Sequence, residues 1–212
     1  MSDLIIKIKK LDWFYFSLIF FLSFVGFVMI YSATSGMEYN VLFSHSIKII
    51  LGLFVMLIVA ITDLEFWKKN AFYLYFIFMV LLIWASFYGH IGKGSRRWIN
   101  FSGFYIQPSE FMKICIILTL AKFFDEKKIK ETRDYFFLIL PITLVLIPFG
   151  LIVSQPDLGT ASMILFISFI IFFISALSWK FFASIGIGFL IIAPYLWNSL
   201  KNYQKQRILT LF

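Results

Sequence analysis

An all-α polytopic membrane protein is the fold class this sequence predicts, and three observations predict it. Hydrophobic residues make up 61% of the 212-residue chain and mean hydropathy is +0.92, more apolar surface than a soluble domain of this size can hide. The apolar runs are about 17–21 residues long, the length of a helix crossing a bilayer and not of a barrel strand. Strand-like alternation is absent. In lipid only helices and closed barrels satisfy their own backbone, so the runs are read as helices.

Seven spans are predicted, at 13–32, 45–62, 71–89, 108–124, 135–153, 159–177 and 181–199, in one transmembrane domain covering 1–212. The first follows Lys7, Lys9 and Lys10. Its run is too long for a signal peptide, and no clear small-residue cleavage site follows, so it is an uncleaved helix. Gln107-Pro108 opens the fourth and Gln155-Pro156 the sixth. Pro141 and Pro148 are expected to bend the fifth, and Pro194 the seventh. Gly26, Gly186 and Gly188 are expected at close-packed positions. The single cysteine, Cys115, lies inside an apolar run and is expected to be a buried bystander. The longest loop is 90–107, long for two adjacent helices.

With the N-terminus in the cytoplasm, the inward segments hold Lys7, Lys9, Lys10, Lys68, Lys69, Lys122, Lys127, Lys128, Lys130, Arg133 and Lys180. The outward loops at 33–44 and 154–158 hold no Lys or Arg. This obeys the positive-inside rule. The net charge of +8 is therefore mostly a topology signal and does not indicate nucleic acid. Two outward segments break the rule: Lys93, Arg96 and Arg97, and the tail with Lys201, Lys205 and Arg207.

Lysine outnumbers arginine 15 to 4, yet three of the four arginines fall outside. A guanidinium is a planar fork that grips phosphate oxygens in pairs, whereas an ammonium is a point charge. Arg96 and Arg97, with Trp98 beside them, are therefore candidate anion ligands. The competing reading is contact with lipid headgroups or with a loop carboxylate. Trp98, Phe101, Phe104, Tyr105 and Ile106 read as an interfacial belt holding the loop at headgroup level.

The motifs Gln107-Pro-Ser-Glu110 and Gln155-Pro-Asp157-Leu-Gly-Thr160 both start helices on the outer side. Proline suits a first helical turn, and an acidic residue there is stabilised by the helix dipole. Local physics thus explains Pro108, Glu110, Pro156 and Asp157. A site reading rests on convergence, because two helix N-termini and the basic loop meet one membrane face. Free N–H groups at helix starts bind anions. The carboxylates beside them could orient arginines, hold a divalent cation or hydrogen-bond sugar hydroxyls, and the sequence does not choose. Glu110 and Lys113 share one helix face. An intramembrane lysine needs a partner, so an internal ion pair is expected. No metal-ligand spacing, nucleophilic triad or Walker loop is present.

Together Gly94-Ser-Arg-Arg-Trp-Ile99, Gln107-Pro-Ser-Glu-Phe-Met-Lys113 and Gln155-Pro-Asp-Leu-Gly-Thr-Ala161 resemble the SEDS proteins (shape, elongation, division and sporulation). Tyr31-Ser-Ala33 fits as well. Leu11-Asp-Trp13 and Tyr203-Gln-Lys-Gln-Arg-Ile208 look more like the elongation branch, RodA, than the division branch, FtsW. The resemblance covers essentially the whole chain. It implies a peptidoglycan glycosyltransferase of the bacterial inner membrane, polymerising lipid II, a disaccharide-pentapeptide on undecaprenyl pyrophosphate. Its implied partner is a class B penicillin-binding protein, besides membrane lipids and with no nucleic acid. A divalent cation, Mg or Mn, is a possible cofactor. Substrate contacts are expected from Arg96, Arg97, Trp98, Gln107, Glu110, Lys113, Gln155, Asp157 and Arg207. The full fold of the resemblance has about ten spans, and its catalytic aspartate lies in a loop corresponding to positions beyond Phe212. No residue here is assigned as the base, and the 212-residue chain alone is expected not to polymerise lipid II.

Two other functions compete. A flippase for the same lipid would suit intramembrane Glu110 and Lys113 and a bent fifth span, but deep charges are few. A non-catalytic scaffold would dock a partner through its helices and would tolerate Arg96→Ala and Arg97→Ala.

Overall fold

A computed structural model describes residues 7, 11–34, 40–92, 95–101, 104–126, 135–175, 177, 179–199, 205 and 209. Arg207, and with it most of the basic tail, lies outside the described residues, as do Lys93 and the basic segment 127–134. In chain order the elements are α1 (Trp13–Ala33), α2 (Asn40–Ile61), α3 (Leu64–Tyr88), β1 (His90–Gly92), β2 (Ser95–Phe101), β3 (Phe104–Ile106), α4 (Pro108–Glu126), α5 (Ile139–Ser154), α6 (Leu158–Ile174) and α7 (Trp179–Ser199). Among the described residues, seven α-helices overlap the seven predicted spans; α2 and α3 start five and seven residues earlier than expected and α5 four residues later. Four of the described helical segments, Trp13–Ala33, Leu42–Ile61, Leu64–Tyr88 and Phe136–Ser154, are long and apolar enough to cross a bilayer.

The chain divides into two units, Met1–Lys69 and Asn70–Phe212. In the first, Asp12 caps α1, its carboxylate accepting the Phe14 N–H at 3.1 Å. The Lys7 amine lies 2.6 Å from the Asp63 carboxylate. No residue of α1 is buried; Phe20, Phe21, Leu22 and Met29 all face outward. Such a surface is stable only against lipid or protein. Its few hydroxyls are satisfied within the helix, as where Ser23 donates to the Ile19 carbonyl at 2.8 Å.

The second unit has a core. Tyr75, Met79 and Leu82 of α3 meet Met112, Ile116 and Leu120 of α4, Val145 and Ile152 of α5, and Ile164 and Phe172 of α6. Helix α6 packs on both α4 and α5. Cys115 is a buried, unpaired member of this core. Polar cross-links are sparse but specific: the Tyr75 hydroxyl donates to the Leu144 carbonyl at 2.9 Å, and Thr119 to the Ala71 carbonyl at 3.3 Å.

Three details differ from expectation. The loop 90–107 is not a flat aromatic strap but a three-stranded antiparallel sheet in the order β1-β2-β3. The predicted fifth span begins as a 3-10 turn, Tyr135–Leu138, before α5. Pro141 therefore falls in the first turn of α5, where its missing N–H costs nothing, and only Pro148 is interior. Finally, a Cβ placed on Gly26, Gly186 or Gly188 meets nothing within 4 Å. Among the described residues these glycines are not close-packing positions.

Candidate functional site

The site is built where α3 ends, the small sheet turns and two helices begin. Helix α3 stops at Gly89, whose N–H bonds the Ala85 carbonyl at 2.9 Å. A Cβ at Gly89 would collide with that same carbonyl, so the stop requires glycine. The chain then reverses into β1, which pairs with β2 so that His90 faces Trp98 and Ile91 faces Arg96. Strand β2 in turn pairs with β3, Asn100 opposite Tyr105.

Successive side chains on a strand point to opposite faces, and this separates the two arginines. Arg97 turns toward α6, where its Nη1 lies 2.9 Å from Oδ2 of Asp157, the side chains 23% and 10% exposed. Arg96 is exposed. It borders a cleft of about 610 Å³ with Trp84, Tyr88, His90 and Asn100, and its Nη1 reaches the Phe87 carbonyl at 3.5 Å. The two arginines therefore have different surroundings, and Arg97 has the loop-carboxylate partner that was the competing expectation.

Asp157 is the hub. It caps α6, with Oδ1 accepting the Thr160 N–H at 3.3 Å. Its Oδ2 also accepts the Thr160 hydroxyl at 2.9 Å and the Gln107 amide at 3.1 Å. The same amide donates to the Ser109 hydroxyl at 3.0 Å. The two Gln-Pro corners are thus joined directly, side chain to side chain, with the basic strand bonded to their junction. Gln155, almost fully buried, adds the third tie: its amide donates to the Leu82 carbonyl at 3.1 Å and to the Ser86 hydroxyl at 2.6 Å. The end of α3, strand β2 and the starts of α4 and α6 are held together by one carboxylate and two amides.

Two polar atoms at this junction, Arg97 Nε and Gln155 Oε1, are buried with no hydrogen-bond partner among the described residues. Such atoms in a membrane protein are met by water or ligand. The Lys113 amine lies 2.9 Å from the Glu110 carboxylate, with Lys113 18% and Glu110 52% exposed. The lysine also touches the Met163 sulfur of α6 at 3.9 Å. The expected internal pair is present and bridges α4 to α6. Asp157 and Glu110 each keep one oxygen beside a cationic nitrogen, and among the described residues no group of three or more His, Cys, Asp or Glu is gathered to hold a metal ion. Trp98 is half-buried in β2.

Sequence reasoning overlooked Thr160, Ser109 and Ser86. The Asp-x-x-Thr spacing of a capped helix start signals the first. Nothing local signals Ser86, whose partner lies far along the chain.

The model of the cell cycle protein family FtsW/RodA/SpoVE matches residues 11–212. This chain belongs to that family. The chain is 30% identical over 197 residues to the peptidoglycan glycosyltransferase MrdB of Escherichia coli K12, covering 87% of this chain and 51% of the relative. It therefore spans about half the length of the curated relatives it matches. Among solved structures it is similar to RodA of Thermus thermophilus, with a TM-score of 0.72 at 28% identity, covering 88% of this chain and 60% of that one. It is also similar to a chain of a peptidoglycan synthase complex that coordinates polymerization and crosslinking, with a TM-score of 0.78 at 29% identity, covering 94% and 58%. These likenesses and the apolar helices make it a multi-pass membrane protein.

Proposed function

We propose that this chain forms the substrate-facing half of a peptidoglycan glycosyltransferase that polymerises lipid II during cell elongation. On this reading it sits in the bacterial inner membrane with its N-terminus in the cytoplasm. The observation that carries the reading is the junction at Asp157, which gathers Arg97 and the starts of α4 and α6 into one polar patch. Helix N-termini present free N–H groups suited to a pyrophosphate, and the Arg96 guanidinium lies on the same small sheet. The junction's residues bind and orient, and none of them is assigned as the base. A class B penicillin-binding protein is the partner this reading implies, on the strength of the synthase-complex likeness.

The flippase alternative needs charge moving through the membrane interior. The closed Glu110–Lys113 pair supports it less well than a positioning role, because the pair is neutral and bridges two packed helices. No observation favours a scaffold.

A chimaera tests the proposal. Residues 11–212 replace the corresponding half of Escherichia coli MrdB, and the purified protein is incubated with lipid II and a class B penicillin-binding protein. Glycan strands are expected, lost on Arg97→Ala. A folded, membrane-inserted chimaera making no strands, beside an active parent, would overturn it.

A further inference from the structure

We infer that Tyr75 is a positioning residue for the Asp157 junction: its hydroxyl takes the place of the N–H that Pro148 lacks, and so fixes the direction in which α5 delivers Gln155 and Asp157. Pro148 is interior to α5 and fully buried. A proline there has no N–H to donate, and its ring presses on the carbonyl four residues earlier. That carbonyl belongs to Leu144. Inside a bilayer no water replaces the lost donor, so a neighbouring helix has to supply one. The Tyr75 hydroxyl of α3 donates to this same Leu144 carbonyl at 2.9 Å, from a residue only 8% exposed. The backbone acceptor that Pro148 strands is thus the one that Tyr75 meets.

A second rung repeats the register. Tyr75 and Leu144 are 69 positions apart; Ser86 and Gln155, joined at 2.6 Å, are also 69 apart. From Tyr75 to Ser86 and from Leu144 to Gln155 is therefore the same step of eleven residues, about three turns or roughly 16 Å of rise. Tyr75, Met79, Leu82 and Ser86 consequently share one face of α3, and Met79 and Leu82 are buried in the core between the rungs. Helix α3 has no proline and lies along α5 as a splint, attached at Leu144 before the break and at Gln155 after it. Two turns, about 10 Å, separate Pro148 from Gln155. A bend altered by about 10° would move the Gln155 end by about 2 Å over that length, enough to part Asp157 from Gln107 and Arg97, which it holds at 3.1 and 2.9 Å. The positioning holds whatever the junction binds; its bearing on catalysis rests on the glycosyltransferase proposed above.

Hydrogen exchange of the 212-residue chain in phosphatidylcholine nanodiscs, read by mass spectrometry, provides the test. Tyr75→Phe keeps the ring and removes only the donor. Exchange across 155–161 is expected to quicken about fivefold, the equivalent of one hydrogen bond, with peptides from α1 unchanged. Pro148→Ala returns to Leu144 a donor from its own helix. In that background the added effect of Tyr75→Phe is expected to all but vanish. A mere packing tie would give the same Tyr75→Phe effect with or without the proline, and that result would overturn the inference. So would unchanged exchange across 155–161 in Tyr75→Phe, which decides alone should Pro148→Ala not fold. Neither result depends on whether the chimaera makes glycan strands.

Discussion

Nη1 of Arg97 and Oδ2 of Asp157 lie 2.9 Å apart, joining a strand of the small sheet to the cap of α6. The carboxylate is nearly buried and already serves Thr160 and Gln107, so the arginine completes a set of donors and does not merely neutralise a surface charge. Removing one member of a buried pair leaves the other uncompensated, which costs more than the pair contributes. Asp157→Ala and Arg97→Ala should each destabilise the protein by about 3–5 kcal/mol. The double variant should be clearly less damaging than the sum, because the two changes remove one interaction. Unfolding midpoints of the four proteins in one detergent provide the check, and strict additivity would argue against the pair.

Gln107 contributes a neutral donor to the same carboxylate oxygen. Its replacement by alanine should cost about 1 kcal/mol, the usual net value of one hydrogen bond. In an Asp157→Ala background that cost should nearly vanish. The same unfolding series, extended by these two variants, reads the coupling.

Gln155 ties the sixth helix start to the end of α3 through Leu82 and Ser86. Gln155→Ala frees the buried Leu82 carbonyl and should destabilise by about 1–3 kcal/mol. Gln155→Glu should be worse, since a carboxylate would face that carbonyl. Hydrogen exchange should show the added opening at the end of α3. Equal protection in all three proteins would count against the tie.

The Glu110–Lys113 pair is asymmetric in exposure. Without Lys113, Glu110 is left open to its surroundings; without Glu110, a mostly covered ammonium keeps only the Met163 sulfur. Glu110→Ala should therefore lower the unfolding midpoint more than Lys113→Met. The reverse order would show that the carboxylate, not the amine, is the costly group to strand.

Much of this was legible in the sequence because its causes are local. Spans such as Trp13–Ala33 announce themselves by apolar length, and Pro108 by the chemistry of a helix start; Pro156 instead precedes the Asp157 cap and lies outside the first turn of α6. The Glu110–Lys113 pair follows from spacing on one face. The small sheet was not legible. Its strands are three to seven residues long, too short for alternation to register against an interfacial composition. The divergence of Arg96 from Arg97 was hidden for the same reason, because only strand geometry sends neighbours to opposite faces. Which of the possible roles Asp157 takes was undecidable while its partners, Arg97 and Gln107, lay in a different loop, about 50 residues or more away in sequence. Gly26, Gly186 and Gly188 misled because small residues mark packing faces only where a neighbour is present.

The most direct test of the account is the side of the membrane on which β2 lies. With Cys115→Ala as background and Arg96→Cys as the only thiol, intact cells are treated with a membrane-impermeant maleimide. Labelling without permeabilising the inner membrane is predicted, with Arg97→Cys labelled far more slowly in its covered position. Labelling of Arg96→Cys only after the inner membrane is opened would put the strand in the cytosol and contradict the account.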